Sequence, residues 1–126
     1  MDSDGAAYHR RMTPNEVIEY CMAKNGAEET YPWGDVELVA KVGGKAFAFV
    51  GPTAVGVKCG RTAEEAAEAR ERFPDAVTIS GYIGRYGWNS VRYAGGIPAG
   101  ELRELIDRSY DAIVAKLPKS KRPQQP

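Results

Sequence analysis

The run from Val36 to Cys59, VELVAKVGGKAFAFVGPTAVGVKC, constrains the fold of this chain more than any other stretch. Gly43-Gly44 suits a two-residue hairpin, because both positions take φ > 0 without a Cβ penalty. The extended segments on either side of it, with a third over Ala54–Cys59, read as a three-stranded antiparallel meander. A two-residue loop sets Val42 opposite Lys45, Ala40 opposite Phe47 and Leu38 opposite Phe49. Alternation then places Leu38, Ala40, Phe47 and Phe49 on the core side, and Val39, Lys41, Ala46 and Ala48 on the other. A slip of one residue would reverse these sides.

The flanking segments read as partners for this meander. Thr13-Pro14-Asn15-Glu16 is a helix start, with Thr13 as N-cap, Pro14 at the first helical position and Glu16 closing a capping box. That helix runs to about Asn25 and buries Val17, Ile18, Cys21 and Met22. Glu28–Trp33 is a short extended piece ending in the Tyr31-Pro32-Trp33-Gly34 turn, where Trp33 reads as a residue pinning the loop. Thr62 and Glu65 form a second capping box ahead of a charged, Ala-rich surface helix that Pro74 stops. Ala76–Ser80 and Trp88–Tyr93 are two further strands, joined by the glycine-punctuated aromatic loop 81–87. In the second of these, Asn89, Val91 and Tyr93 point inward, and Trp88, Ser90 and Arg92 point outward. Pro98 opens a last helix with the stripe Leu102, Leu105, Ile106, Ser109, Ile113 and Leu117, ended by Pro118. The order α-βββ(β)-α-ββ-α predicts an α+β domain. It would be a single antiparallel sheet of five or six strands, with the N- and C-terminal helices packed side by side on one face. Residues 1–12 read as a mobile arm, 13–118 as the single domain, and 119–126 as a basic disordered tail.

Composition removes several functions. Seventeen basic and seventeen acidic side chains cancel, which argues against binding driven by net charge alone. The charge-free run Ala46–Val57 is short and broken by Gly51, Pro52 and Gly56, well under the ~20 apolar residues a span needs. The first residues lack the apolar stretch of a secretion signal. Cys21 and Cys59 have no CxxC spacing and read as buried thiols of a cytoplasmic, monomeric protein. No catalytic residue, cofactor site or metal site stands out. The single histidine, His9, lies in the arm, and Glu28, Glu29 and Asp35 read as solvated acids rather than cation ligands. Loop 81–87 is no phosphate loop, since no Gly-Lys-Ser/Thr follows it. An enzyme working through carboxylates or tyrosines would leave little trace in sequence.

What remains is the outward sheet face. Lys41, Ala46, Ala48, Gly56, Lys58, Trp88 and Arg92 fall on it, with Arg85 and Tyr86 on the adjoining loop. Cations beside exposed aromatics suit phosphate contacts with base stacking. The same set would also frame a pocket for a flat aromatic ligand, the small residues leaving room. A protein-interaction surface is a further alternative, and a half-solvated face with no ligand is the plain one.

Several stretches resemble the MmcQ/YjbR family over roughly residues 13–120. They are Tyr31–Gly34 followed by Leu38–Ala48, Val57–Cys59, Gly87–Val91, Leu105–Tyr110 and Val114–Lys119. The resemblance implies a small bacterial, cytosolic protein with a CyaY-like, "double wing" α+β fold and a DNA-binding role. It implies no established activity, and the occurrence of relatives beside antibiotic biosynthesis genes keeps a small-molecule role open. The candidate nucleic-acid or ligand-binding residues are Lys41, Lys58, Arg85, Tyr86, Trp88, Asn89 and Arg92. Relatives often carry a basic residue and a histidine just before the Trp-Asn pair. Here Arg85 or Tyr86, and Gly87, stand at those positions. Frataxin-type iron binding needs an acidic ridge, and the first helix offers only Glu16 and Glu19.

Overall fold

The computed structural model of the chain describes residues 10–32, 34 and 37–123. Residues 1–9 of the expected arm, Trp33, Asp35, Val36 and residues 124–126 lie outside it. The elements are α1 (Pro14–Met22), β1 (Glu28–Thr30), β2 (Leu38–Val42), β3 (Lys45–Val50), β4 (Ala54–Lys58), α2 (Ala63–Arg72), β5 (Val77–Ile79), β6 (Trp88–Arg92) and α3 (Ala99–Lys116). Short 3-10 turns occupy Gly84–Tyr86, Tyr93–Gly95 and Lys119–Lys121. The six strands form one antiparallel sheet in the order β1-β2-β3-β4-β6-β5, and the helices cover one face of it, as the stripes require.

The caps follow the sequence closely at α1 and less closely at α2. Thr13 Oγ1 accepts from Glu16 N at 3.2 Å, and the Glu16 carboxylate accepts from Thr13 N at 2.9 Å. At α2 only half of the box forms. Thr62 Oγ1 accepts from Glu65 N at 3.2 Å, but the Glu65 carboxylate takes Arg61 N at 2.7 Å instead of the cap residue. The two outer helices lie side by side. Tyr20 Oη and Lys24 Nζ of the first segment both donate to Asp107 of α3, and Tyr110 Oη donates to Asn25 O at 2.5 Å.

The meander departs from simple alternation at one residue. Val42 pairs with Lys45 and Lys41 with Ala46, but Ala40 then pairs with Ala48, Val39 with Phe49 and Leu38 with Val50. Phe47 is the extra residue of a β-bulge, which locally bends and twists a strand. This corrects the expected sides: Ala48 turns into the core, and Phe49 turns to the open face. Phe47 stays buried, its ring edge-on to Tyr110 with centroids 5.2 Å apart. The bulge leaves backbone groups to satisfy, and Ser109 does so. Its Oγ donates to Phe47 O at 2.6 Å and accepts from Lys58 N at 2.9 Å. Among the described residues, every buried side-chain polar atom has a partner.

Both expected free ends are docked in part. Met12 is buried, Arg10 O accepts from Ala99 N at 2.7 Å, and Arg11 Nη1 donates to Ala94 O at 3.5 Å. At the other end, Arg122 Nε donates to Leu117 O at 2.9 Å and Nη2 to Ala115 O at 3.1 Å. That guanidinium caps the last carbonyls of α3 and holds the Lys119–Lys121 turn under the β2–β3 hairpin. The packing is close enough that a Cβ on Gly43 would stand 2.6 Å from Leu117 Cδ1 and 2.9 Å from Lys121 O.

Candidate nucleic-acid and ligand interface

The open face is organised around Phe49, Gly56 and Trp88. Gly56 lies between Phe49 and Ser90 in register. Phe49 packs against β4 here, and a Cβ on Gly56 would stand at ordinary van der Waals distance, 3.6 Å, from Phe49 Cβ. Trp88, opposite Lys58, meets Phe49 edge-on with centroids 5.2 Å apart. Beside this pair runs a groove of about 440 Å³. Phe49, Ala54, Gly56 and Ser90 line its strand side, Ser80, Gly81 and Ile83 its loop side, and Glu37 also borders it.

The seven candidate residues divide three ways. Arg92 is exposed on β6, opposite Ala54, and Lys41 is half-buried opposite Ala46 on β2. Arg85 and Tyr86 are exposed on the loop turn, the Arg85 guanidinium 4.8 Å from the Tyr86 ring centre and 5.8 Å from that of Tyr82. Tyr82 is 87% exposed and Tyr86 49%, which makes this Tyr-Arg-Tyr cluster the accessible aromatic surface of the face. Trp88, in contrast, is only 8% exposed. It supports Phe49 from the side and presents no free ring for stacking.

Lys58 and Asn89 serve the protein's own structure. Lys58 is buried and its ammonium donates to Tyr86 O, tying β4 to the turn. Burial, and then the nearby Lys116 charge, lower its pKa from the usual lysine value. Asn89 points into the helix layer, as its alternation with Trp88 requires. Its Nδ2 donates to Ala66 O at 3.1 Å and its Oδ1 accepts from Arg70 Nη1 at 2.8 Å, while Arg70 Nη2 donates to Ala63 O at 2.8 Å. The amide and guanidinium together fasten α2 to β6. Ala46 and Ala48 are also absent from the groove. Ala48 is core, and Ala46 lines a separate cleft beside α3.

Gly87 explains why no imidazole stands before Trp88. Its φ is +88°, and a Cβ there would lie 2.0 Å from Gly60 O. Cys59 N donates to Gly87 O at 2.8 Å, so the two segments are locked at backbone contact. Any side chain at this position would part them.

Neither thiol looks out on the groove. Cys21 and Cys59 are both buried and unpaired. Burial pushes the Cys21 thiol up to about 12 and raises Cys59 as well. Among the described residues no cluster of histidine, cysteine or carboxylate groups is placed to hold a metal, and no helix is long and apolar enough to cross a membrane.

Sequence reading missed Tyr82, Phe49 and the groove's loop wall. The aromatic, glycine-punctuated loop was the available signal for Tyr82. The groove itself gathers short pieces from β3, β4, β6, the loop and the approach to β2, and no local motif marks it.

A family model described as YjbR matches residues 22–112. An Escherichia coli K12 protein, "Uncharacterized protein YjbR", is 33% identical over 117 residues, which span 88% of this chain and 95% of that one. The crystal structure of a Deinococcus radiodurans protein with domain DUF419 superposes with a TM-score of 0.76 at 25% identity, covering 88% of this chain and 86% of that one. A Pseudomonas syringae protein shares the fold, with a TM-score of 0.65 at 18% identity over 80% of this chain and 98% of its own.

Proposed function

This chain belongs to the YjbR family, and we propose that it is a non-enzymatic nucleic-acid-binding protein that favours unpaired strands. The observation carrying this reading is the groove on the open face set beside the Tyr82–Arg85–Tyr86 loop. An unpaired base is flat, and the groove offers Phe49 and Gly56 on one side and Gly81 and Ile83 on the other. The next base meets Tyr82 or Tyr86, and stacking on an aromatic ring contributes ~1–3 kcal/mol per base without sequence preference. Arg85, Arg92 and Lys41 supply the phosphate contacts. With about three contacts and no net charge, binding is weak, roughly micromolar or poorer at physiological salt. The two unpaired cysteines fit a reducing cytoplasm, where the protein acts as a monomer.

The test is a titration of labelled single-stranded and duplex DNA at two salt concentrations. Single strands should bind more tightly, with log K falling about 2 units per decade of salt for three contacts. Arg85→Ala should weaken both forms, and Tyr82→Ala chiefly the single strand. Absence of binding at low salt would remove the reading.

A second reading is favoured by the size of the groove. At about 440 Å³ it lies within the ~300–1,000 Å³ range of small-molecule sites. A flat aromatic ligand would fill it, donating to the Glu37 carboxylate or the Ser80 and Ser90 hydroxyls. Such binding would depend little on salt, which separates the two readings in the same experiment.

A further inference from the structure

A second recess lies at the opposite margin of the molecule from Glu37 and Arg92, where the β2–β3 hairpin meets the end of α3. Ala46, Ile113 and Leu117 line it, Lys45 and Lys116 border it, and its volume is about 290 Å³. Its floor is fixed. Leu117 is buried against Gly43, its N–H donates to Val114 O at 3.0 Å, and Arg122 holds its carbonyl.

The charge around it is one-sided. The ion pairs among the described residues join Arg10 with Glu16, Lys24 with Asp107, Arg61 with Glu65, Arg72 with Glu68 and Glu101, and Arg108 with Glu68. Lys45 and Lys116 appear in none of them. Lys119 and Lys121 add two more cations on the turn that follows α3. Arg122 already satisfies the carbonyls at the helix end, so the Lys116 ammonium is not needed there. Burial first, and the Lys116 charge second, disfavour the ammonium of Lys58.

An apolar floor beneath two unpaired ammonium groups has a definite chemical complement. We propose that this cleft binds a small amphipathic carboxylate, its aliphatic chain on Ile113 and Leu117 and its carboxylate between Lys45 and Lys116. The volume limits the ligand to a short chain, since it sits at the lower edge of known small-molecule sites. The pairing of a buried chain with a charge-assisted contact explains why neither a neutral chain nor a simple anion would suffice. The site is independent of the open-face groove.

The experiment uses the full chain with octanoate as the probe, followed by NMR of the Ile113 and Leu117 methyl groups. Saturable shifts at these methyls are expected, with octanol and acetate each binding at least tenfold more weakly. Lys116→Gln and Lys45→Gln should each reduce octanoate affinity about tenfold, the loss typical of one charged hydrogen bond. Both side chains are exposed, and urea unfolding of each variant verifies that the fold is intact. No saturable shift, shifts elsewhere, equal binding of octanol, or unchanged affinity in both glutamine variants would overturn the assignment.

Discussion

Replacing Ser109 by alanine removes the hydroxyl that satisfies the bulged meander. Ser109 is fully buried in α3, and its Oγ joins Phe47 O at 2.6 Å and Lys58 N at 2.9 Å. Both are backbone groups where the β3 bulge interrupts the ladder. Alanine would leave a buried carbonyl and a buried N–H without a partner, each costing ~1–3 kcal/mol. Alanine's better helix propensity returns only about 0.5 kcal/mol. The net loss is therefore about 3 kcal/mol, a large share of the ~5–15 kcal/mol that holds a domain together. Urea unfolding should show a lower midpoint with an unchanged slope, and the melting temperature should fall by roughly 10 °C. Ser90→Ala, on the open face, is the matched control and should change stability by under ~0.5 kcal/mol. A Ser109→Ala protein as stable as the Ser90→Ala control would refute the claim that this hydroxyl completes the ladder.

Two further outcomes follow from burial and pairing. Both thiols should resist a thiol reagent in the native protein and react fully after denaturation, since burial raises both pKa values; labelling of Cys59 within minutes at neutral pH would contradict this. Arg10 holds the Glu16 carboxyl down to about 2, from an ordinary 4.5, chiefly through their hydrogen bond. The stabilisation is complete above about pH 4.5 and is lost as pH falls toward 2. Glu16→Gln should accordingly flatten the acid limb of the stability profile over that window, as measured by urea midpoints at successive pH values.

The parts of the fold legible in the sequence were those with a local physical signature. The Thr13 cap, the Gly43-Gly44 turn and the Leu102–Leu117 stripe each follow from nearby residues, and together they set the layer architecture. The bulge at Phe47 has no such signature. Alternation in KAFAFV reads equally well in either register, and the choice is made by Ser109 sixty-two positions away, by Tyr110 beside Phe47, and by Trp88 beside Phe49. That single residue then decided the composition of the open face. It brought Phe49 out, sent Ala48 in, and gave Trp88 a ring to lean on. Asn89 was legible as inward from its strand position, but its partners Ala66 and Arg70 lie on a helix whose charges read as solvated. The end of the arm and the start of the tail read as polar and unpatterned. Their anchoring through Met12, Arg10 O and the Arg122 guanidinium is tertiary and leaves no period to detect.

On the proposed reading, the open-face groove and its neighbouring loop receive an unpaired nucleic-acid strand. The most direct measurement is an amide chemical-shift map of the full chain titrated with a short single-stranded oligothymidine at low salt. Saturable shifts concentrated at Gly56, Ser80, Gly81, Ile83, Arg85 and Ser90, reversed by added salt, are expected. Shifts confined to the helix face, or none at concentrations well above micromolar, would contradict it.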